Sequence, residues 1–89
     1  MTPAPLAPAD EVRTFILRDL VRDPDMDLRA DEPLFSSGLL DSFAVTPLML
    51  YLEDRFEIRI PVVDVTLSDF DTVEKILRLV ERRLAAVRR

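Results

Sequence analysis

Three segments of this 89-residue chain place apolar residues at helical spacing, and this spacing limits the possible fold more than any other feature. The segments are residues 9–22, 42–56 and 72–86. Only one stretch, within residues 57–71, is rich in strand-forming residues, and a single strand without a partner cannot form a sheet. The sequence therefore predicts an all-α fold, a small bundle of three to four helices.

Three local sequence features refine the predicted helix boundaries and helix number. Asp71 to Glu74 read Asp-Thr-Val-Glu, which is a capping-box pattern for the start of the third helix. Pro47 lies inside the second segment and removes a backbone donor, so we expect either a kink or a helix that restarts with Thr46 as its cap. A short helical turn is expected near residues 62–66, which would be the fourth helix.

A long polar connection, residues 23–41, separates the first two predicted helices. It contains the only glycine, Gly38, for which we expect a positive φ just before the second helix. Its acidic residues lack the glycine turn and closing glutamate of a calcium-binding loop, so no metal site is predicted. Four apolar residues are expected to hold the loop against the core: Leu28, Leu34, Phe35 and Leu39.

The two ends differ from the middle of the chain in composition. Residues 1–8 contain three prolines and are predicted to form a flexible arm, residues 9–86 one domain, and residues 87–89 a basic tail. Neither a signal-peptide pattern nor an apolar run of about 20 residues is present. We therefore expect a cytoplasmic protein without membrane insertion.

Composition excludes most enzyme chemistry. The chain has no Cys and no His, so thiolate nucleophiles, imidazole bases and the usual zinc ligands are missing. The net charge of −5 argues against nucleic acid as a partner. Residues 74–89 alone carry about +4, which indicates either a solvated helix face or a contact with a polyanion. We predict that the chain is not an enzyme.

Ser42 is the most informative residue, because it follows a glycine-bearing loop and begins the second predicted helix. Asp41 is a plausible N-cap. Free N–H groups and the positive end of the helix dipole would favour a phosphate attached to Ser42. From helix physics alone, the alternative is a helical protein-interaction module in which Ser42 is only a cap.

Four motifs in order (LFSSGLLDS, a helix ending in LEDRF, IP and DTVEKI) resemble the acyl carrier and peptidyl carrier protein family. The resemblance covers about residues 10–84, centres on Asp41-Ser42-Phe43, and in its spacing is most similar to stand-alone D-alanyl and aminoacyl carriers. It implies that Ser42 carries a 4′-phosphopantetheine arm derived from coenzyme A, whose thiol holds an acyl or aminoacyl group as a thioester. The implied protein is a monomeric carrier. Its implied partners are a metal-dependent phosphopantetheinyl transferase, an adenylating or acyltransferase loading enzyme, and a downstream synthase or transferase.

The second helix also predicts a docking surface for those partners. Its core stripe is expected to be Val45, Leu48, Met49, Leu52 and Phe56. Phe43, Pro47 and Leu50 are predicted to point away from that stripe and to flank Ser42, with Thr46 beside them. Asp41 offers a negative charge to basic residues of a partner. The predicted docking residues are Leu40, Asp41, Phe43, Thr46, Pro47 and Leu50. The alternative is that the 23–41 loop buries Phe43 and Leu50.

The charge of this helix bears on the pathway. Fatty-acid-synthase carriers line it with acids, whereas here acids appear only at Glu53 and Asp54. Weaker charge steering and stronger apolar contact favour a dedicated pathway, such as polyketide or nonribosomal peptide biosynthesis.

Overall fold

The computed structural model describes residues 7–61, 63 and 65–87, and within them the chain is helical with no strand. The α-helices are α1 (Pro8–Phe15), α2 (Val45–Phe56) and α3 (Val73–Val87). A π-helical segment, Ile16–Val21, continues α1, and short 3₁₀ helices, Ser42–Ala44 and Leu67–Phe70, precede α2 and α3. The prediction of an all-α bundle with a long loop between its first two helices is confirmed.

The first helix begins and ends where its sequence predicts. Pro8 occupies its first turn, where a missing N–H costs nothing, and Asp10 and Glu11 follow close to the positive end of the dipole. The helical segment ends at Arg22, which takes a left-handed conformation with φ of 63°. The π-helical second half was not predicted, since periodicity does not distinguish it from an α-helix.

Pro47 is accommodated by a change of helix type. The chain turns as a 3₁₀ helix over Ser42–Ala44, and α2 begins at Val45 with Ala44 as its N-cap. Pro47 therefore lies in the first turn of α2, where backbone N–H groups have no partner within the helix. The predicted restart with Thr46 as the cap is wrong, because the α-helix begins before Thr46.

The start of α3 also differs from the prediction. The Thr72 hydroxyl accepts a hydrogen bond from the Lys75 N–H at 3.0 Å, so Thr72 is the N-cap and Lys75 the third residue of the helix. A capping box would need an acidic or amide side chain at that third position. The predicted Asp71–Glu74 box is therefore wrong, and the Asp71 carboxylate is left for other partners.

The core lies between the three helices and the inner side of the 23–41 loop. Both α1 and α2 contact α3. Leu28 and Leu34 are buried and Phe35 and Leu39 partly buried, which confirms that the loop is held against the core. The fully buried side chains are Val12, Ile16, Leu34, Leu48, Leu52, Phe70, Val73, Ile76 and Leu79.

Contacts at the edge of the core fix α1 against α2. The rings of Phe15 and Tyr51 stack with centroids 4.0 Å apart and planes 9° from parallel. The Arg55 guanidinium donates to the Glu11 carboxylate at 2.7 Å. These contacts set the position of α2, whose first turn follows Ser42.

Two arginines of the basic C-terminal helix contact residues of other segments. Arg82 lies 3.7 Å from the Asp69 carboxylate, and Arg83 Nε donates to the Arg59 carbonyl oxygen at 2.8 Å. Of the helices described, none is long and apolar enough to cross a membrane.

Some predictions fall on residues outside the described ones. The arm, apart from residues 7 and 8, and residues 88–89 of the predicted tail lie outside them. Residue 87, assigned to the tail, is the last residue of α3. Residues 62 and 64 of the expected short turn also lie outside, whereas a 3₁₀ helix is present just after that stretch, at Leu67–Phe70.

Candidate functional site

Ser42 lies at the surface, as the first residue of the 3₁₀ helix that leads into α2. Its side chain is exposed. The Asp41 carboxylate accepts a hydrogen bond from the Phe43 N–H at 3.0 Å, so Asp41 is the N-cap, as predicted. The alternative in which Ser42 serves only as a cap loses its structural basis, because Asp41 makes the capping contact.

One part of the electrostatic prediction needs correction. The Phe43 N–H is bound to the Asp41 side chain, the Ala44 N–H to the Asp41 carbonyl at 3.0 Å, and the Val45 N–H to the Ser42 carbonyl. These amides are not free to bind a phosphate on Ser42. What remains is the positive end of the α2 dipole, with no acidic residue in the first turn of α2 to oppose it.

The loop before Ser42 is folded tightly. Gly38 has φ of +86°, which confirms the predicted positive φ. The Ser36 hydroxyl donates to Asp71 and the Ser37 hydroxyl to the Pro33 carbonyl oxygen, each at 2.7 Å. By contrast, the Ser42 hydroxyl has no hydrogen-bond partner among residues 7–61, 63 and 65–87. Two of the loop serines thus hold the fold, and Ser42 is left available.

The predicted docking residues separate into two groups. Phe43 is 86% exposed and Leu50 61% exposed, so the alternative that the loop buries them is wrong. Asp41, Thr46 and Pro47 are also exposed.

Leu40 departs from the prediction. Only 5% of its surface is exposed, and its side chain belongs to the core cluster. The Leu40 N–H donates to the Leu34 carbonyl oxygen at 2.8 Å, which turns the Leu40 side chain inward with the buried leucines of the loop. The Leu40 side chain packs in the core below the turn, so it is not available for contact with a partner.

The role of Asp71 was not predicted from the sequence. Its Oδ1 accepts hydrogen bonds from the Phe35 N–H at 2.8 Å and the Ser36 N–H at 2.9 Å, while its Oδ2 accepts from the Ser36 hydroxyl at 2.7 Å. Burial alone would raise the pKa of Asp71, but the hydrogen bonds from Ser36 and Phe35, with the charge of Lys75, lower it below its ordinary value. Asp71 is therefore an anion that holds the loop. The only sequence signal was its position before a helix.

The surroundings of Ser42 fit a bulky covalent group. The hydroxyl faces solvent, the cap of the turn is supplied by Asp41, and the nearest large apolar side chain, Phe43, is directed away from the core. A group attached to the Ser42 oxygen would therefore displace neither a buried side chain nor the capping contact. The exposed ring of Phe43, the next residue, provides apolar surface beside it, and Leu50 adds exposed apolar surface further along α2.

Comparison with known proteins gives a consistent result. Residues 10–80 match a family model described as a phosphopantetheine attachment site. The D-alanyl carrier protein of Lactobacillus helveticus (strain DPC 4571) is 38% identical over 66 residues, covering 74% of this chain and 82% of the relative. That of Lacticaseibacillus casei (strain BL23) is 39% identical over 67 residues, covering 75% and 83%. That of Streptococcus sanguinis (strain SK36) is 39% identical over 62 residues, covering 70% and 77%. The chain therefore belongs to the family of carrier proteins that bear a covalently attached 4′-phosphopantetheine.

Proposed function

We propose that this protein is a stand-alone acyl or aminoacyl carrier whose attachment site is Ser42. The observation that supports this most directly is the exposed Ser42 hydroxyl, which makes no hydrogen bond to a described residue while Asp41 caps the turn. When attached, the phosphopantetheine arm supplies a thiol that can hold cargo as a thioester, which a chain without cysteine cannot do itself. The protein would then act as a substrate of its partner enzymes and not as an enzyme.

Intact mass spectrometry tests the attachment site. The purified protein is incubated with coenzyme A, Mg²⁺ and a broad-specificity phosphopantetheinyl transferase. We expect the mass to rise by one arm, Ser42→Ala to abolish the increase, and Ser68→Ala to leave it intact. Ser68 is a suitable control because it is also exposed and lies in a 3₁₀ helix. An unmodified parent, or an increase that persists in Ser42→Ala, would overturn the assignment.

The second element of the proposal is a docking face, which we define as the exposed residues Asp41, Phe43, Thr46, Pro47 and Leu50. Phe43 lies in the 3₁₀ turn before α2 and Leu50 lies within α2, and both side chains are exposed, so we assign them as the apolar anchors of this face. Pro47 adds a third exposed apolar side chain, and Asp41 and Thr46 give the face a polar rim. Basic residues of partner enzymes would meet the Asp41 carboxylate.

The rate of Ser42 modification tests this face. Phe43→Ala and Leu50→Ala should each raise the KM of the transferase for the carrier by about tenfold, the scale of a well-packed interface anchor. Glu81→Ala, an exposed substitution on α3, should leave KM unchanged. If Phe43→Ala and Leu50→Ala change neither KM nor kcat, partners do not use this face.

Two classes of cargo are candidates, and a different observation supports each. The first turn of α2 has no acidic residue, which favours apolar docking and a dedicated pathway such as polyketide or nonribosomal peptide biosynthesis. A D-alanyl cargo is the second candidate, because the relatives reported above are D-alanyl carrier proteins. The mass of the loaded protein isolated from its native host distinguishes them. An added alanyl group would favour the second candidate, and any other acyl or aminoacyl group the first.

A further inference from the structure

Asp71 ties the start of α3 to the middle of the 23–41 loop. Its carboxylate accepts from the Phe35 N–H, the Ser36 N–H and the Ser36 hydroxyl at 2.8, 2.9 and 2.7 Å. Its own carbonyl oxygen accepts from the Leu34 N–H at 2.6 Å. Four hydrogen bonds from one residue thus hold three consecutive loop residues.

A hydrogen-bonded turn continues from these residues to Ser42. The Gly38 N–H donates to the Phe35 carbonyl oxygen at 3.1 Å, and the Leu40 N–H to the Leu34 carbonyl oxygen at 2.8 Å. Buried Leu40 is followed directly by the cap Asp41 and then by Ser42. The residues that Asp71 holds are thus joined to Ser42 by these hydrogen bonds and by the short chain from Leu40 to Ser42.

We propose that Asp71 is a positioning residue for the modification of Ser42 and acts through Ser36 and the 34–40 turn. This inference rests on the proposed function, in which Ser42 is the attachment site. When the hydrogen bonds between Asp71 and residues 35–36 break, the segment before Ser42 is no longer held in one conformation. Only a fraction of the molecules then presents the Ser42 hydroxyl in the conformation that a transferase binds. Apparent affinity falls in proportion to that fraction, so the effect belongs in KM and not in kcat.

A purely structural role for Asp71 makes a different prediction. Thr72, not Asp71, caps α3, so removing the Asp71 carboxylate leaves the cap of that helix in place. If Asp71 only stabilised the fold, its loss would lower the melting temperature but would not change the kinetics of the folded protein. A change in KM measured well below the melting temperature therefore separates positioning from stability.

Steady-state kinetics of the phosphopantetheinyl transferase provide the test, with coenzyme A saturating and the carrier varied. Ser36→Ala removes one hydrogen bond, and Asp71→Ala removes all those to the carboxylate. We expect KM to rise about threefold for Ser36→Ala and about tenfold or more for Asp71→Ala, with kcat unchanged. Ser36→Thr, which keeps the hydroxyl, should restore the KM of the parent, and Ser68→Ala should not alter it.

Amide hydrogen exchange supplies a readout that does not depend on modification. The Phe35 and Ser36 amides should exchange faster in Ser36→Ala, while the amides of α3 should keep their protection. An unchanged KM and unchanged exchange in Ser36→Ala and Asp71→Ala would overturn the inference. That result differs from failure of the proposed function, in which the parent itself is not modified or Ser42→Ala still is.

Discussion

The Asp71 carboxylate accepts a hydrogen bond from the Ser36 hydroxyl at 2.7 Å, although 35 residues separate them along the chain. Together with the Phe35 and Ser36 amides, this contact joins the long first loop to the beginning of the last helix. Two kinds of contact therefore hold the loop in place: its leucines are buried in the core, and its backbone and Ser36 are hydrogen-bonded to Asp71. A loop of 19 residues without this support would be expected to be mobile.

Acid should weaken the fold through Asp71. Its pKa is lowered in the folded protein, so the folded state binds the proton less readily than the unfolded state. The stabilisation is present above the ordinary pKa of aspartate, about 4, and is lost as the pH falls through the lower folded value. Urea unfolding at pH 7 and at successively lower pH measures this loss.

The matched variant is Asp71→Asn, which cannot titrate. At pH 7 it should be less stable than the parent by about 1 kcal/mol, which is below the usual range for hydrogen bonds to a charged group because solvent screens this carboxylate. Its disadvantage should shrink toward pH 3. Asp25→Asn, at an exposed site with no side-chain hydrogen bond or ion pair among the described residues, should show no loss of stability at pH 7. A constant gap between Asp71→Asn and the parent at every pH would show that Asp71 does not contribute to acid sensitivity.

The helices and the carrier family could be predicted from the sequence because each depends on local information. Apolar periodicity fixed three helices to within a few residues, and a single glycine marked the turn before Ser42. The family motif around Asp41-Ser42-Phe43 pointed to the cofactor. Exposure of Phe43 and Leu50 was also predicted, from their angular positions on a single continuous helix, although Phe43 lies in the 3₁₀ turn before α2.

What the sequence did not reveal depends on contacts between distant residues. Leu40 and Phe43 both follow Gly38 and are both large and apolar, yet one is buried and the other exposed. The Leu34–Leu40 turn decides this, and periodicity carries no information about a loop. Asp71 was assigned to a local capping box because its partner Ser36 is remote in sequence.

Gly38→Ala should destabilise the protein by about 1 kcal/mol. A Cβ at this position would meet no atom within 4 Å, so the cost comes from the backbone, whose φ of +86° an L-residue with a side chain rarely adopts. Gly38→Asn should cost less, because asparagine tolerates positive φ better than alanine. Thermal unfolding of the two variants ranks them. Equal stability of Gly38→Ala and the parent would contradict a positive φ at this turn in solution.

Glu57→Gly should have the opposite effect. Glu57 ends α2 in the left-handed conformation with φ of 53°, which glycine adopts without strain. The substitution should stabilise the protein by about 0.5–1 kcal/mol, although part of the gain is offset by the greater freedom of glycine in the unfolded chain. The test is urea unfolding, with Asp54→Gly inside α2 as a control that should destabilise. Destabilisation by both would indicate that α2 does not end at Glu57.

Tyr51 should ionise above its ordinary pKa of about 10. Burial raises the pKa of this phenol, and Glu11 adds to the effect. The chain has one Tyr and no Trp, so the ultraviolet absorbance of the phenolate reports Tyr51 alone. The midpoint of the Tyr51 titration should fall to about 10 in urea, where the protein is unfolded. In folded Glu11→Gln it should lie below that of the folded parent, because one of the causes that raise the pKa is removed. Because the folded pKa is raised, the related stabilisation is lost as the pH rises through that value.

Leu48→Ala and Leu50→Ala should differ sharply, although the residues lie two positions apart on α2. Leu48 is fully buried, so its truncation leaves a cavity and should cost about 2–5 kcal/mol of unfolding free energy. Leu50 is 61% exposed, and its truncation should change stability by less than about 0.5 kcal/mol. Urea unfolding monitored by helical circular dichroism measures both.

The same pair separates the fold from recognition. With Leu50→Ala as stable as the parent, any rise in the KM of the transferase reflects a lost contact with that enzyme and not unfolding. Leu48→Ala, studied at a temperature where it remains folded, should keep the KM of the parent because its side chain never reaches the surface. If Leu50→Ala proved as destabilising as Leu48→Ala, Leu50 would belong to the core, and the docking face would have to be placed elsewhere on the molecule.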